Sequence, residues 1–219
     1  MQQINNSDDA SLYKQILALA AIAYQPPTLD EIPTLIKQLE DVANDPKSKR
    51  EIISLCGSFL TLRNDTVYFV HQSAKDFLST KALHDIFPSG IEVAHYAVLS
   101  RSLQALSALH RDMYNLGELG YPAEQITQPN PDPLAALHYS CIYWIDHLCD
   151  WNLSASTDTL AHLQDGGAIH EFLKKKYLYW LEDLSLYKSI SKGVVSMGKL
   201  KVLIQVIIKL ATPDTNNIS

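Results

Sequence analysis

Several clusters in the chain carry residue types that could do chemistry, and their spacing decides what each one is. Gly193-Val194-Val195-Ser196-Met197-Gly198-Lys199-Leu200 follows the phosphate-loop pattern G-x-x-x-x-G-K up to its last position. In that pattern backbone N–H groups cradle phosphates, the lysine reaches them, and a Ser or Thr hydroxyl binds magnesium. Leu200 stands where the hydroxyl belongs. A phosphate loop also follows a strand of a parallel sheet. Here Tyr187 to Lys192 has helical character and no alternating strand–helix units surround it. The segment is therefore expected to be a turn between helices.

A zinc site could be drawn from His138, Cys141, His147 and Cys149. On one helix, Cys141 and Cys149 would lie roughly 12 Å apart at about 1.5 Å per residue. Zinc ligands must converge to about 2.0–2.3 Å from one ion. His147 would also point roughly 120° away from Cys141, at 3.6 residues per turn. Leu134, His138, Cys141, Ile145 and Leu148 instead form one stripe, the pattern of a core face. His71, Ser73 and Asp76 have the residue types of a hydrolytic triad. They lie around a single strand-to-helix junction, where they would splay rather than converge. Helix capping by Ser73 with Asp76 is the expected role. Lys174-Lys175-Lys176 precedes Tyr177, Tyr179 and Trp180, a mixture that can bind nucleic acid. Leu173, Tyr177, Trp180 and Leu184 share a helical face, which leaves the lysines on the solvated side.

The bulk properties bound these choices. A chain of 219 residues, 47% hydrophobic, is long enough for one large or two small cores. A formal net charge of -6 argues against a nucleic-acid protein. Cys56, Cys141 and Cys149 are too few and too odd in number for a disulfide framework. The polar, acidic start at Met1 to Ala10 is no secretory signal, and no apolar run approaches the roughly 18 residues of a membrane span. The expected location is the cytoplasm, with no membrane partner.

The elements that must position these residues read as follows. Leu12 to Tyr24 is rich in Leu, Ile and Ala and predicts a buried helix, stopped by Pro26 and Pro27. Thr28-Leu29-Asp30-Glu31 has the form of a capping box. Asp45-Pro46 opens a third helix that ends at Gly57. Ser58 to Leu62 and Thr66 to Val70 are β-prone, and Arg63-Asn64-Asp65 joins them as a hairpin. Helical pattern returns at Gln72 to Thr80. Beyond Pro88 the chain reads as helical: Ile91 to Leu109, then a Gly- and Pro-rich loop region, then a helix from Asp132-Pro133 to about Cys149. Gly166-Gly167 breaks the chain, and the last helices are Ala168 to Ile190 and Lys199 to Leu210. The fold class is mainly α: a winged helix with a small β-hairpin, followed by an α-helical domain. The expected division is a flexible N-terminus at 1–10, a winged-helix domain at 11–88, a helical domain at 89–211 and a flexible tail at 212–219.

Three ordered stretches are more specific than these patterns. The first is Cys56-Gly57-Ser58-Phe59-Leu60-Thr61-Leu62 with Val67-Tyr68-Phe69-Val70-His71-Gln72-Ser73-Ala74-Lys75-Asp76-Phe77-Leu78. The second is Asp132-Pro133-Leu134-Ala135-Ala136 with Tyr139-Ser140-Cys141-Ile142-Tyr143-Trp144-Ile145-Asp146-His147-Leu148. The third is Phe172-Leu173-Lys174-Lys175-Lys176-Tyr177-Leu178-Tyr179-Trp180-Leu181-Glu182, followed by Val194-Val195-Ser196-Met197. Together, from about Leu12 to Leu203, they resemble the region after the NTPase core in fungal NACHT-type STAND proteins. These are NLR-like and include the heterokaryon-incompatibility class.

The resemblance implies a non-catalytic regulatory segment of a nucleotide-dependent signalling switch. It would restrain a NACHT NTPase core and couple nucleotide state to neighbouring domains. The implied partners are that core and a C-terminal repeat domain, often of WD type, with oligomerisation of the active parent. No cofactor is expected in this chain; ATP/ADP or GTP/GDP with magnesium would belong to the parent, a P-loop NTPase. The resemblance also implies one site residue. Val70-His71-Gln72 stands where related proteins place a histidine that contacts the bound diphosphate, although Met and Asp commonly flank it there. The alternative is a DNA-binding winged-helix regulator, whose third helix would offer only Lys47, Lys49 and Arg50 to phosphates.

The incomplete phosphate loop generates a first prediction. Calorimetric titration of the isolated chain with ATP, ADP, GTP or GDP and magnesium should show no micromolar binding. Micromolar affinity lost on Lys199→Ala would contradict it.

Overall fold

The computed structural model describes residues 10–117, 120–151 and 161–211. Apart from Ala10, the expected flexible start and tail fall outside these residues. The described chain is mainly helical with a small two-stranded antiparallel sheet. In order it forms α1 (Ala10–Ile22), α2 (Ile32–Leu35), a 3-10 turn (Lys37–Val42) and α3 (Pro46–Leu55). β1 (Leu60–Arg63), β2 (Thr66–Phe69), α4 (Gln72–Thr80) and α5 (Leu83–Ile86) follow. The remainder is α6 (Ile91–Leu106), a 3-10 turn (Ala123–Gln125), α7 (His138–Trp151), α8 (Ala168–Leu186) and α9 (Ile190–Ala211).

Local chemistry accounts for the first half. The capping box forms as the spacing predicts: the Glu31 carboxylate accepts from Thr28 N at 2.7 Å, and Thr28 Oγ1 lies 3.4 Å from Glu31 N. Asp45 caps α3, accepting from Lys47 N at 3.0 Å and from Ser48 Oγ at 2.6 Å, with Pro46 in the first turn. β1 and β2 pair with Leu60 opposite Phe69 and Leu62 opposite Val67. Asn64 and Asp65 connect them, both at positive φ (48° and 60°), the backbone of a tight hairpin turn with the right twist. The segment before α2 runs along the other edge of β2. Thr28 bridges Thr66, Leu29 N donates to Asp65 O at 2.8 Å, and Val67 N donates to Pro27 O at 2.9 Å.

Two apolar clusters result. One gathers Leu17, Ile32, Leu35, Ile53, Cys56, Leu60, Val67, Leu78 and Phe87 from α1 to α5 and their connections, with Val98 and Tyr139 added from α6 and α7. The other surrounds Trp144 and Trp180, whose rings meet edge-on at 6.0 Å, with Leu106, Leu134, Ile145, Leu148 and Leu184. α6 and α7 pack against one another most extensively.

Two expectations need correction. The Asp132 cap forms, accepting from Leu134 N at 2.9 Å, but residues 133–137 are turns and the helix starts at His138. The N–H of Tyr139, which a helix opened at Pro133 would bond internally, is instead taken by Glu31 at 2.9 Å. The second concerns Gly193 to Lys199, which is not a turn: it lies inside the 22-residue helix α9. A side chain at Gly193 would collide with Leu184 Cδ1 of α8. Glycine there permits close helix–helix approach, and packing overrides its weak helix propensity.

Candidate functional site

His71 stands between β2 and α4, with extended backbone (φ -154°, ψ 153°), as the N-cap of α4. Its ring accepts from Ser73 N through Nδ1 at 3.2 Å, and the same nitrogen lies 2.9 Å from Ser73 Oγ. The cap is thus the histidine, and not Ser73 with Asp76 as the sequence suggested. Asp76 accepts from Gln72 Nε2 at 2.9 Å instead. An Nδ1 that accepts leaves the proton of a neutral imidazole on Nε2. His71 is exposed, so this N–H is a donor presented at the surface of the hairpin–helix junction. Beside the junction lies a cleft of about 290 Å³ lined by Tyr24, Gln25, Tyr68, Gln72 and Lys75.

The other candidates dissolve into structure. His138, Cys141, His147 and Cys149 do not converge, and no group of three or more metal-ligating side chains occurs among the described residues. Cys141 is fully buried and donates its thiol hydrogen to Asp183, while Trp180 Nε1 donates to Cys141 O at 2.7 Å. Lys174 and Lys175 are exposed, and Lys175 pairs with Glu171 at 2.6 Å. Lys176 turns inward and donates to Leu109 O at 2.7 Å. Each cation of α3 faces a carboxylate: Lys47 meets Glu51 at 3.8 Å, Lys49 meets Asp30 at 2.5 Å, and Arg50 meets Asp65 at 2.5 Å.

Sequence reasoning missed a buried polar chain that crosses between the halves. Tyr24 N donates to the Tyr139 hydroxyl at 3.3 Å, and that hydroxyl lies 2.8 Å from His147 Nε2. His147 Nδ1 lies 2.9 Å from His95 Nδ1. One set of protons satisfies every link: Tyr139 O–H donates to His147 Nε2, and His147 Nδ1–H donates to His95 Nδ1. His95 then carries its proton on Nε2, facing Asp150 at 3.8 Å, and Tyr24 O–H donates to Asp150 at 2.5 Å. Both imidazoles must be neutral for this pattern. Burial, together with the neighbouring His95, pushes His147 down to about 3. Burial also lowers His95, against the pull of Asp150 and Glu92. The only signal in the sequence was a polar residue off the apolar stripe of α7, and its partners lie far away in the chain.

The chain is similar to part of a fungal vegetative-incompatibility protein, and this likeness supports the incompatibility class that the ordered motifs resemble. The relative is the vegetative incompatibility protein HET-E-1 of Podospora anserina. The two are 48% identical over 217 residues, which cover 93% of this chain and 16% of that protein. The chain therefore spans less than a fifth of its relative's length. No family model matches the chain, and no solved structure matches it. Among the described residues no helix is long and apolar enough to cross a membrane.

The buried groups set opposing pH dependences. His147 resists protonation until about pH 3 in the folded chain, whereas an unfolded histidine takes its proton near 6.5. Its contribution to stability is lost as pH falls from 6.5. Burial raises Asp183 from 3.8 to about 6, so the folded chain holds a proton that the unfolded chain has released. That contribution is lost as pH rises from 3.8 through 6. Each slope is about 1.4 kcal/mol per pH unit, and between pH 4 and 6 they oppose one another. Urea unfolding across this range should show Asp183→Asn losing stability more steeply than wild type on acidification, and His147→Gln less steeply. Wild-type slopes in both variants would contradict the assignment.

Proposed function

We propose that the chain is a non-catalytic control segment of a NACHT/STAND-type signalling switch. It restrains an NTPase core and relays its nucleotide state to neighbouring domains. Residues 11–88 act in this reading as a winged helix. The supporting order is helix, helical turns, α3, then the β1–β2 hairpin, with the segment at 27–29 bridged to the free edge of β2. Residues 89–211 supply the helical domain. The identity with HET-E-1 supports the signalling class. The parent would bind ATP/ADP or GTP/GDP with magnesium in its own phosphate loop. Its NACHT core and a C-terminal repeat domain would be the partners of this segment, in the cytoplasm.

The observation that carries this reading is the geometry of His71. Its Nδ1 accepts from Ser73 N, and His71 is exposed at the strand end, with its Nε2–H not used by the cap. With the ring neutral, as the cap requires, such an N–H can donate to a phosphate oxygen of a nucleoside diphosphate on an adjoining core, the phosphate supplying the charge of the contact. The state that retains diphosphate is then the restrained one. One charge-assisted contact is worth ~1.5–3 kcal/mol, enough to move a two-state equilibrium substantially.

Because His71 also caps α4, alanine would remove two functions at once, the cap alone being worth about 0.5–2 kcal/mol. Asparagine keeps a capping oxygen but cannot extend a ring N–H. In the intact parent, His71→Asn should raise the diphosphate off-rate by at least about tenfold, the equivalent of ~1.4 kcal/mol, with the melting temperature of the 219-residue chain preserved. His71→Ala should change both. An unchanged off-rate in the asparagine variant would make His71 a helix cap only.

A further inference from the structure

The buried polar chain between the halves has one favourable direction while both of its imidazoles are neutral. Tyr139 O–H donates to His147 Nε2, and His147 Nδ1–H donates to His95 Nδ1. Reversing it with neutral rings would put the His95 proton on Nδ1 and turn the Nε2 lone pair toward the Asp150 carboxylate, 3.8 Å away. A proton added to His95 removes that conflict. Its Nε2–H then faces Asp150 as part of a cation, and its Nδ1–H must donate to His147 Nδ1. His147 stays neutral but changes tautomer, with its proton on Nε2 and aimed at the Tyr139 oxygen. One proton bound at one end thus reverses both links of the chain.

We propose that this chain is a proton-operated latch between the two halves, closed while His95 is neutral, and reversed and loosened at the Tyr24–Tyr139 contact when His95 binds a proton. The surroundings favour His95 as the point of entry. Glu92 of its own helix and Asp150 of α7 draw a proton to it, and the Tyr24 ring lies beside it. Around Tyr139 and His147 stand Glu31, Tyr143 and Asp146, with Lys199 of α9 holding Asp146. A second proton, on His147, would set two cations across a 2.9 Å contact. The cost of reversal falls on Tyr139, which is fully buried. Among the described residues its hydroxyl has two partners, Tyr24 N and His147 Nε2. In the reversed chain its oxygen accepts from both, and its hydrogen has no acceptor. It regains one only where the segment after α1 parts from α7 and admits water. Burial holds His95 below the usual histidine range, so the latch is closed near neutrality and opens as pH falls below that range. The inference does not depend on the role of His71.

Long-range nitrogen–proton NMR of the 219-residue chain distinguishes the two tautomers of each ring, and the cation from either. At neutral pH His147 should carry its proton on Nδ1 and His95 on Nε2. On acidification His95 should become doubly protonated, and His147, still neutral, should move its proton to Nε2 with the same midpoint. Protection of the Tyr24 amide from hydrogen exchange, corrected for the intrinsic effect of pH, should fall at least about tenfold across that midpoint. The Val67 amide, bonded to Pro27 O, should keep its protection. Asp150→Asn, at a partly exposed position, should lower the midpoint by about one pH unit, a tenfold loss of proton affinity. A His147 that keeps its Nδ1 proton throughout the His95 titration would overturn the proposal. So would a first proton on His147, a midpoint indifferent to Asp150→Asn, or Tyr24 protection that either persists or is lost together with that of Val67.

Discussion

The two halves of this chain meet at one buried carboxylate. Glu31 is 1% exposed, and its two oxygens serve different parts of the fold. One accepts from Thr28 N at 2.7 Å and closes the turn ahead of α2; the other accepts from Tyr139 N at 2.9 Å, in the first turn of α7. Burial pushes the Glu31 carboxyl up, and the two backbone donors pull it back. Removing the side chain would strand both N–H groups in the interior, where an unpaired donor costs about 1–3 kcal/mol. A carboxylate in this position is hard to replace, because a single group satisfies donors 111 positions apart in the sequence (Thr28 and Tyr139).

Other ties lie around it. Arg101 of α6 donates to Thr34 O at 3.0 Å and pairs with Glu40. The Tyr24–Tyr139–His147–His95 chain reaches from the end of α1 through α7 to α6. The contiguity bears on function. His71 ends β2; β2 is bonded along its other edge to 27–29; that segment leads into Glu31, and Glu31 holds the start of α7. α7 in turn lines, with Asp146, Cys149 and Asp150, an open groove of about 740 Å³ against Val202 and Val206 of α9. A contact made at His71 therefore has a continuous hydrogen-bonded route to a distant surface. Contiguous packed and hydrogen-bonded elements of this kind can carry coupling, and measured coupling is its proof.

Much of the first half was legible because its signals are local. The proline stop after α1, the Asp45 cap, the Asn64-Asp65 turn and the capping box each involve residues within a few positions of one another. The second partner of Glu31 was not legible, since nothing near Thr28 announces Tyr139. The same distance effect misplaced the start of α7: the Asp132 cap was real, but Glu31 captured the Tyr139 N–H that would have continued the helix. Gly193 and Gly198 suggested a break, yet α9 runs through both, because the first glycine admits Leu184 and the second lies on an open surface. At the candidate site, the position of His71 could be read, but its role as a cap could not. His147 was set aside for lying off the apolar stripe, although it is buried in a polar chain closed by His95, 52 residues away.

The two halves also carry separate reporters. Trp144, Trp151 and Trp180, the three tryptophans of the chain, lie on α7 and α8, and Cys56 is buried in the other core. Urea unfolding followed at once by tryptophan fluorescence and by Cys56 labelling, resolved by peptide mass, tests whether Glu31 locks the halves together. If it does, the two transitions coincide in the wild type, and Glu31→Ala separates them while lowering stability by about 2–4 kcal/mol. Transitions that remain coincident in Glu31→Ala, with stability within about 0.5 kcal/mol of wild type, the range of an ordinary surface substitution, would contradict a lock at Glu31.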